Sequence, residues 1–462
     1  MKKLNIIIIL LFIYVFAYSQ NTITGTFPKL SNQQIKLIAF KGFNTYTIDS
    51  VQANEKGEFN LSYSKQDFGM GYLLSEDGKS FIVILADNEN LKLEGISLAF
   101  LNTIVILNGK QNRLFEQYAT EHPRREQAIS AWDYLEKIYQ NDSLFAIHKI
   151  PQKTIEEEKQ RIKAEDKLFL AELYPNTYVS WYLPIRKLVS SVSTIAQYRT
   201  DEIPETIEAF RKLDYTDERL YKSGLLKDAI DSHFWLLENM GQPLDTVFKE
   251  MEISIDYMIT NLSGNENRFN EIIKHLFHLL ESHSLFPSSE YLAIKVLTQN
   301  SCTVNDDLAK QLELYRAMKI GNTAPDIAFS GDVFKNGNAI KTPKRLSDIQ
   351  STYKVVIFGA SWCPNCREEI RQLLPLYKKW KSKGVELVFV SLDTEKALFN
   401  SFVSIFPFIS TCDYKKWDSQ AVKDYYVFAS PTIFLLDKNN KIILRPNSVK
   451  QIDAWIDYYI GK

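Results

Sequence analysis

The run Val355-Val356-Ile357-Phe358-Gly359-Ala360-Ser361-Trp362-Cys363-Pro364-Asn365-Cys366-Arg367-Glu368-Glu369 decides how the last third of this chain is read. Four apolar residues lead into a Cys-x-x-Cys, and a helical pattern starts there, with Ile370, Leu373, Leu374 and Tyr377 on one face. Two residues between the sulfurs let them close a small ring. The first cysteine stands where the unpaired N–H groups and dipole of a helix start favour a thiolate. A Cys-x-x-Cys at such a strand-to-helix junction can act as a reversible dithiol. Trp362 before it, with Arg367 and Glu369 after it, makes the pattern far more specific than the bare cysteine pair. A static disulfide or half a metal site is the competing reading, but zinc needs further ligands. No second Cys-x-x-Cys exists and no His lies between positions 320 and 462.

Working outward, Gly321-Asn322-Thr323-Ala324-Pro325-Asp326 reads as a linker into an edge strand, followed by a strand over Lys354–Phe358 and the cysteine helix. Gly384 stops that helix and Val385–Val390 reads as a buried strand. A further helix begins near Thr394. Thr432–Leu436 and Lys441–Leu444 form a hairpin across Lys438-Asn439-Asn440, and Ser448 caps a closing helix. Strands alternating with helices, then a hairpin and a helix, define an α/β domain over residues 320–462.

A chain of 462 residues is too long for one core. Its 45% hydrophobic and 24% charged residues exclude a disordered protein, and a net charge of −1 gives no basic bias toward nucleic acid. Lys2 and Lys3, the apolar run from Ile6 to Phe16, and Ala17-Tyr18-Ser19 read as a secretory signal peptide over residues 1–19, with an uncleaved anchor as the alternative. The apolar run falls short of the roughly 20 residues of a membrane span. Residues 20–108 carry short alternating runs (Ile35–Ile38, Tyr46–Ile48, Phe59–Leu61, Phe81–Leu85, Leu91–Leu93, Ile104–Ile106) separated by turn signals, and predict a β-sandwich-like domain. Residues 109–319 turn helical. Phe269, Ile272, Ile273, Leu276, Phe277 and Leu280 trace one buried face, and Pro184, Pro204, Pro243 and Pro287 fall at expected boundaries.

The C-terminal segment resembles the thioredoxin superfamily, and within it the exported TlpA/ResA-like thiol-disulfide oxidoreductases. The matching residues are Gly321…Ala324-Pro325, Trp362-Cys363-Pro364-Asn365-Cys366-Arg367, and Ser430-Pro431-Thr432 before Phe434-Leu435-Leu436-Asp437. The whole architecture is similar to multidomain members from Bacteroidetes-type bacteria. The resemblance implies a periplasmic or cell-envelope protein that reduces disulfides of other proteins and is recharged by a membrane or soluble thiol donor, with no bound cofactor or metal. Cys363 would be the attacking nucleophile and Cys366 the resolving thiol. Trp362, Pro364, Ser430 and Pro431 would form the substrate-binding surface, with Ser430–Pro431 a cis peptide opposite the cysteines. Thioredoxin's buried acid is replaced here by Ile357. Relatives take an acid from the next strand-helix junction, where Asp393 and Glu395 stand as candidate bases for Cys366.

The Pro364-Asn365 dipeptide leaves the redox direction open, and the resemblance favours a reductant. Cys302 and Cys412 read as buried thiols, a bridge between the helical and α/β domains, or accessory redox cysteines. His275 and His278 share a helix face with Glu271, away from the apolar stripe, and read as solvated. A thiol peroxidase is disfavoured by Gly359-Ala360-Ser361-Trp362 ahead of Cys363. The rival of a different class is an exported binding or scaffold protein using the thioredoxin-like domain as an interaction module. The sequence assigns no oligomeric state.

Overall fold

The computed structural model describes residues 21–298 and 304–460. The expected signal peptide and Cys302 lie outside the described residues. Among those described, no helix is long and apolar enough to cross a membrane. The chain divides into two compact units, residues 1–242 and 243–462.

The first unit opens with eight strands in two four-stranded sheets. One contains Asn21–Thr26, Glu58–Tyr63, Leu91–Glu94 and Val105–Asn108; the other contains Gln34–Lys41, Asn44–Gln52, Gly69–Ser75 and Ser80–Leu85. Alternate residues turn inward. Ile23, Leu61, Leu91 and Leu93 of one sheet meet Ile35, Leu37, Leu73, Val83 and Leu85 of the other in a single apolar core. This is the sandwich-like domain that the alternating runs predict. Helices follow, from Lys110–Asn141 to Leu226–Glu238. Pro184, expected at an element boundary, instead lies inside the helix Tyr178–Ser190. Burial of Val179, Tyr182 and Leu183 holds that helix together despite the missing N–H.

The second unit begins with the helices Leu244–Leu262, Glu266–Ser282, Phe286–Thr298 and Asp306–Ala317. All six apolar residues of the stripe on Glu266–Ser282 are buried. A seven-stranded sheet follows, in the order Asn338–Ala339, Asp332–Lys335, Ile409–Cys412, Val385–Ser391, Tyr353–Gly359, Thr432–Asp437, Ile442–Leu444. The central strand Tyr353–Gly359 is parallel to Val385–Ser391 and antiparallel to Thr432–Asp437. It is buried on both faces. Val355 and Ile357 face the helices Pro364–Ser382 and Val449–Tyr459, while Val356 and Phe358 pack with Val422, Tyr425 and the entry segment of the domain.

The four helices are tied to this sheet by a buried ion pair. Arg445 Nη2 lies 2.9 Å from Glu281 Oε2, with the two side chains 5% and 3% exposed. Arg445 Nη1 donates to the Tyr315 hydroxyl at 2.9 Å, and the guanidinium covers the Phe286 ring at 4.0 Å. Burying such a pair costs less the more of its remaining donors and acceptors are occupied, and here Arg445 Nε is left without a partner among the described residues. Ser289 donates to the other Glu281 oxygen.

Candidate functional site

Strand register assembles the site. Phe358 is paired with Val390 on one side and Thr432 on the other, and Gly359 with Ser391. The segments that follow, 360–363, 392–393 and the approach 430–431, therefore meet at the carboxyl end of the central strands, the usual place for a site in an open α/β sheet.

Cys363 is the N-cap of the helix Pro364–Ser382, and its Sγ accepts the Cys366 backbone N–H at 3.1 Å. Pro364 at the first helical position gives up no needed N–H. The Cys363 thiol also donates to the Ser430 carbonyl at 3.3 Å, the residue joined to Pro431 by a cis peptide bond. Cys366, one turn in, is 1% exposed, and both cysteines are free thiols. Burial, and then its hydrogen bond with Cys363, pushes the Cys366 thiol up to about 12. Gly359 makes room for it: a Cβ there would meet Cys366 Sγ at 3.3 Å and the Phe389 ring at 2.9 Å. Trp362 is 43% exposed beside the sulfurs, and Pro364 is exposed at the same surface. The structure thus brings Trp362, Cys363, Pro364, Cys366, Ser430 and Pro431 together.

The two candidate bases part company. Asp393 is fully buried, and its carboxylate accepts the Ser361 hydroxyl at 2.6 Å, the Ser361 N–H at 3.2 Å and the Ser391 hydroxyl at 2.7 Å. These hydrogen bonds come from Ser361 of the Cys363 loop and from Ser391 at the end of the neighbouring strand, and not from Cys366. Glu395 is exposed at the N-cap of the helix Lys396–Val403 and makes no capping hydrogen bond. Ser361 and Ser391 carry no chemical signature in the sequence. Only a buried acid needing donors could have pointed to them. Cys412 is a free buried thiol that donates to the Asp393 carbonyl at 3.3 Å, and burial pushes it up to about 11. Among the described residues no group of three or more His, Cys, Asp or Glu is placed to hold a metal ion.

Residues 351–442 match the family model described as thioredoxin-like. These residues form a thioredoxin-like domain. This thioredoxin-like domain is 28% identical over 125 residues to the thiol-disulfide oxidoreductase ResA of Oceanobacillus iheyensis, a match covering 27% of this chain and 62% of ResA. The chain thus spans about three-fifths of the length of that relative. It is also 28% identical over 123 residues to human nucleoredoxin, covering 26% of this chain and 27% of nucleoredoxin. Among solved structures, a thioredoxin-like protein from Bacteroides caccae aligns with TM-score 0.39 and 17% identity, over 56% of this chain and 93% of that one. The thioredoxin domain of a thiol-disulfide oxidoreductase from Bacteroides vulgatus aligns with TM-score 0.27 and 23% identity, over 31% and 98%.

Proposed function

We propose that this chain is an exported thiol-disulfide oxidoreductase that reduces disulfides of extracytoplasmic proteins through Cys363 and Cys366. The observation that carries the reading is the asymmetry of the pair. Both sulfurs are buried, at 5% and 1% exposed, but Cys363 Sγ sits at a helix start and receives a backbone N–H, while the Cys366 thiol is pushed up and held protonated.

The Cys363 thiolate attacks one sulfur of the substrate disulfide. That S–S bond breaks as the mixed disulfide forms, and the departing sulfur takes a proton. Cys366 then gives up its proton, attacks Cys363 Sγ and releases the second substrate thiol. The substrate gains two electrons and two protons, and the Cys363–Cys366 disulfide is left. A membrane or soluble thiol donor returns the pair to the dithiol. Trp362, Pro364, Ser430 and Pro431 form the docking surface, where backbone groups flanking Pro431 pair with an extended substrate segment. Asp393 acts as a positioning residue, fixing Ser361 and with it the Trp362–Cys363 turn. Solvent and the departing thiolate are the proton acceptors available to Cys366. Export rests on the Lys2-Lys3 and Ile6–Phe16 pattern. The expected limits at 108/109 and 319/320 are proposed as the domain boundaries.

Reduction of insulin disulfides by the wild-type chain in the presence of a thiol donor, and its loss in Cys363→Ser, is the expected result. Equal rates for the two proteins would favour the interaction-module reading.

A further inference from the structure

A groove of about 590 Å³ is lined by Trp417, Lys423, Tyr426, Val427, Phe428 and His278. Two of its wall residues are close in the chain to residues that touch the cysteine site. Phe428 precedes by two residues the Ser430 whose carbonyl accepts from Cys363. Lys416, next to Trp417, holds its ammonium 5.0 Å above the Trp362 ring.

Two features set this groove apart from incidental relief. One wall residue, Tyr426, holds a backbone that bulky residues rarely adopt, with φ of 53°, and Lys416, next to Trp417 in the chain, does the same at 52°. Conformations of this kind persist where surrounding structure enforces them, and they cluster at ligand-contacting sites. The second feature is the source of one wall. Phe428 packs edge-on against Phe277 at 6.0 Å and against His278 at 5.6 Å, both from the helix Glu266–Ser282. That helix lies outside residues 351–442, which carry the thioredoxin-like match.

From this geometry we propose that the groove is a specificity subsite for an extended polypeptide bearing an aromatic side chain on one side of its reacting cysteine, and that the helix Glu266–Ser282 helps to set that preference. The inference rests on the oxidoreductase reading and adds the substrate class. Phe428 stands two residues from Ser430, and an extended strand advances about 3.3 Å per residue, so a substrate strand passing Ser430 reaches the groove within roughly two to four positions of its cysteine. The volume falls in the range of sites that enclose a small ligand. A small disulfide held at Cys363 leaves the groove empty, whereas a polypeptide fills it. Exposed Trp417 and half-buried Tyr426 and Phe428 offer ring faces and edges for stacking.

The test uses the full chain and two cyclic disulfide peptides that differ only in Tyr or Ala three residues from one cysteine. Wild type is expected to reduce the Tyr peptide with a kcat/KM about tenfold higher, the discrimination that one apolar contact supports. Trp417→Ala should bring the ratio close to one, and Trp417→Phe should keep most of it. Equal kcat/KM for both peptides with wild type overturns the inference, as does a ratio unchanged by Trp417→Ala. Fluorescence anisotropy with labelled copies, both cysteines replaced by serine, separates the groove from the chemistry. If wild type reduces neither the peptides nor 2-hydroxyethyl disulfide, the dithiol reading fails. Tighter binding of the Tyr copy would then still uphold the groove, and equal binding would overturn it.

Discussion

Replacing Cys363 with serine isolates the second sulfur and tests the asymmetry on which the chemistry depends. In the native pair the Cys366 thiol is pushed from an ordinary 9.0 up to about 12, with burial the first cause and the Cys363 sulfur the next. That rise leaves Cys366 with far less thiolate at pH 8 than an unperturbed cysteine carries. Cys363→Ser removes the neighbouring sulfur and keeps the burial. Alkylation of Cys366 by iodoacetamide, followed residue by residue with mass spectrometry between pH 7 and 11, should therefore show a midpoint above about pH 10. The midpoint is the readout because restricted access slows reaction equally at every pH. Circular dichroism at each pH confirms that the fold persists. A midpoint at or below 9 would refute the reasoning, because Cys366 would then ionise as readily as an open thiol. So would alkylation at neutral pH as fast as that of Cys363 in the reciprocal Cys366→Ser variant.

Asp393→Ala leaves Ser361 and Ser391 without their buried acceptor and should destabilise the chain by about 1–3 kcal/mol in urea unfolding. Insulin reduction should slow while its pH profile keeps its shape, the mark of a positioning residue; a lost ionisation in that profile would instead make Asp393 the base. Arg445→Met strands buried Glu281 and should cost about 3–5 kcal/mol, whereas Arg445→Met with Glu281→Leu should recover most of it. Equal denaturation midpoints for the single and double variants would contradict this account of the ion pair. In the first unit, burial pushes Asp166 up, but hydrogen bonds from His122 at 3.0 Å and Lys187 at 2.7 Å outweigh it and hold the carboxyl down at about 2. A depressed carboxyl adds stability above its unfolded pKa near 3.9 and loses it as pH falls toward 2, here about 2 kcal/mol. Urea midpoints at pH 5 and pH 2.5 should therefore differ less in Asp166→Asn than in wild type.

Local features were legible in the sequence where one residue type has one conformational use. Gly384, at φ 81°, ends the cysteine helix, and the Ser448 side chain caps Val449–Tyr459 by accepting the Gln451 N–H. The alternation of residues 20–108 and the stripe on Glu266–Ser282 were equally readable, since period 2 and period 3.6 leave different marks. Pairings between distant residues were not. Glu281 and Arg445 lie 164 positions apart, and neither has a neighbour that announces a buried partner. The grouping of residues 244–317 with the thioredoxin-like domain in one compact unit follows from such contacts, which helical periodicity cannot report. Pro184 misled for a related reason: tertiary burial outweighed a local breaker. At the site, the cysteines, Trp362 and Ser430–Pro431 could be named because their chemistry restricts them. The carboxylate of Asp393 could be named, but its partners Ser361 and Ser391 could not.

The most direct test of the central claim is a redox titration of the full chain in glutathione buffers, quenched by acid and resolved by mass at each cysteine. The account predicts that Cys363 and Cys366 lose their thiols together, in one two-electron transition with about 30 mV per tenfold change in equilibrium constant. Independent oxidation of the two sulfurs, or a Cys363 that pairs with glutathione while Cys366 stays reduced, would contradict it.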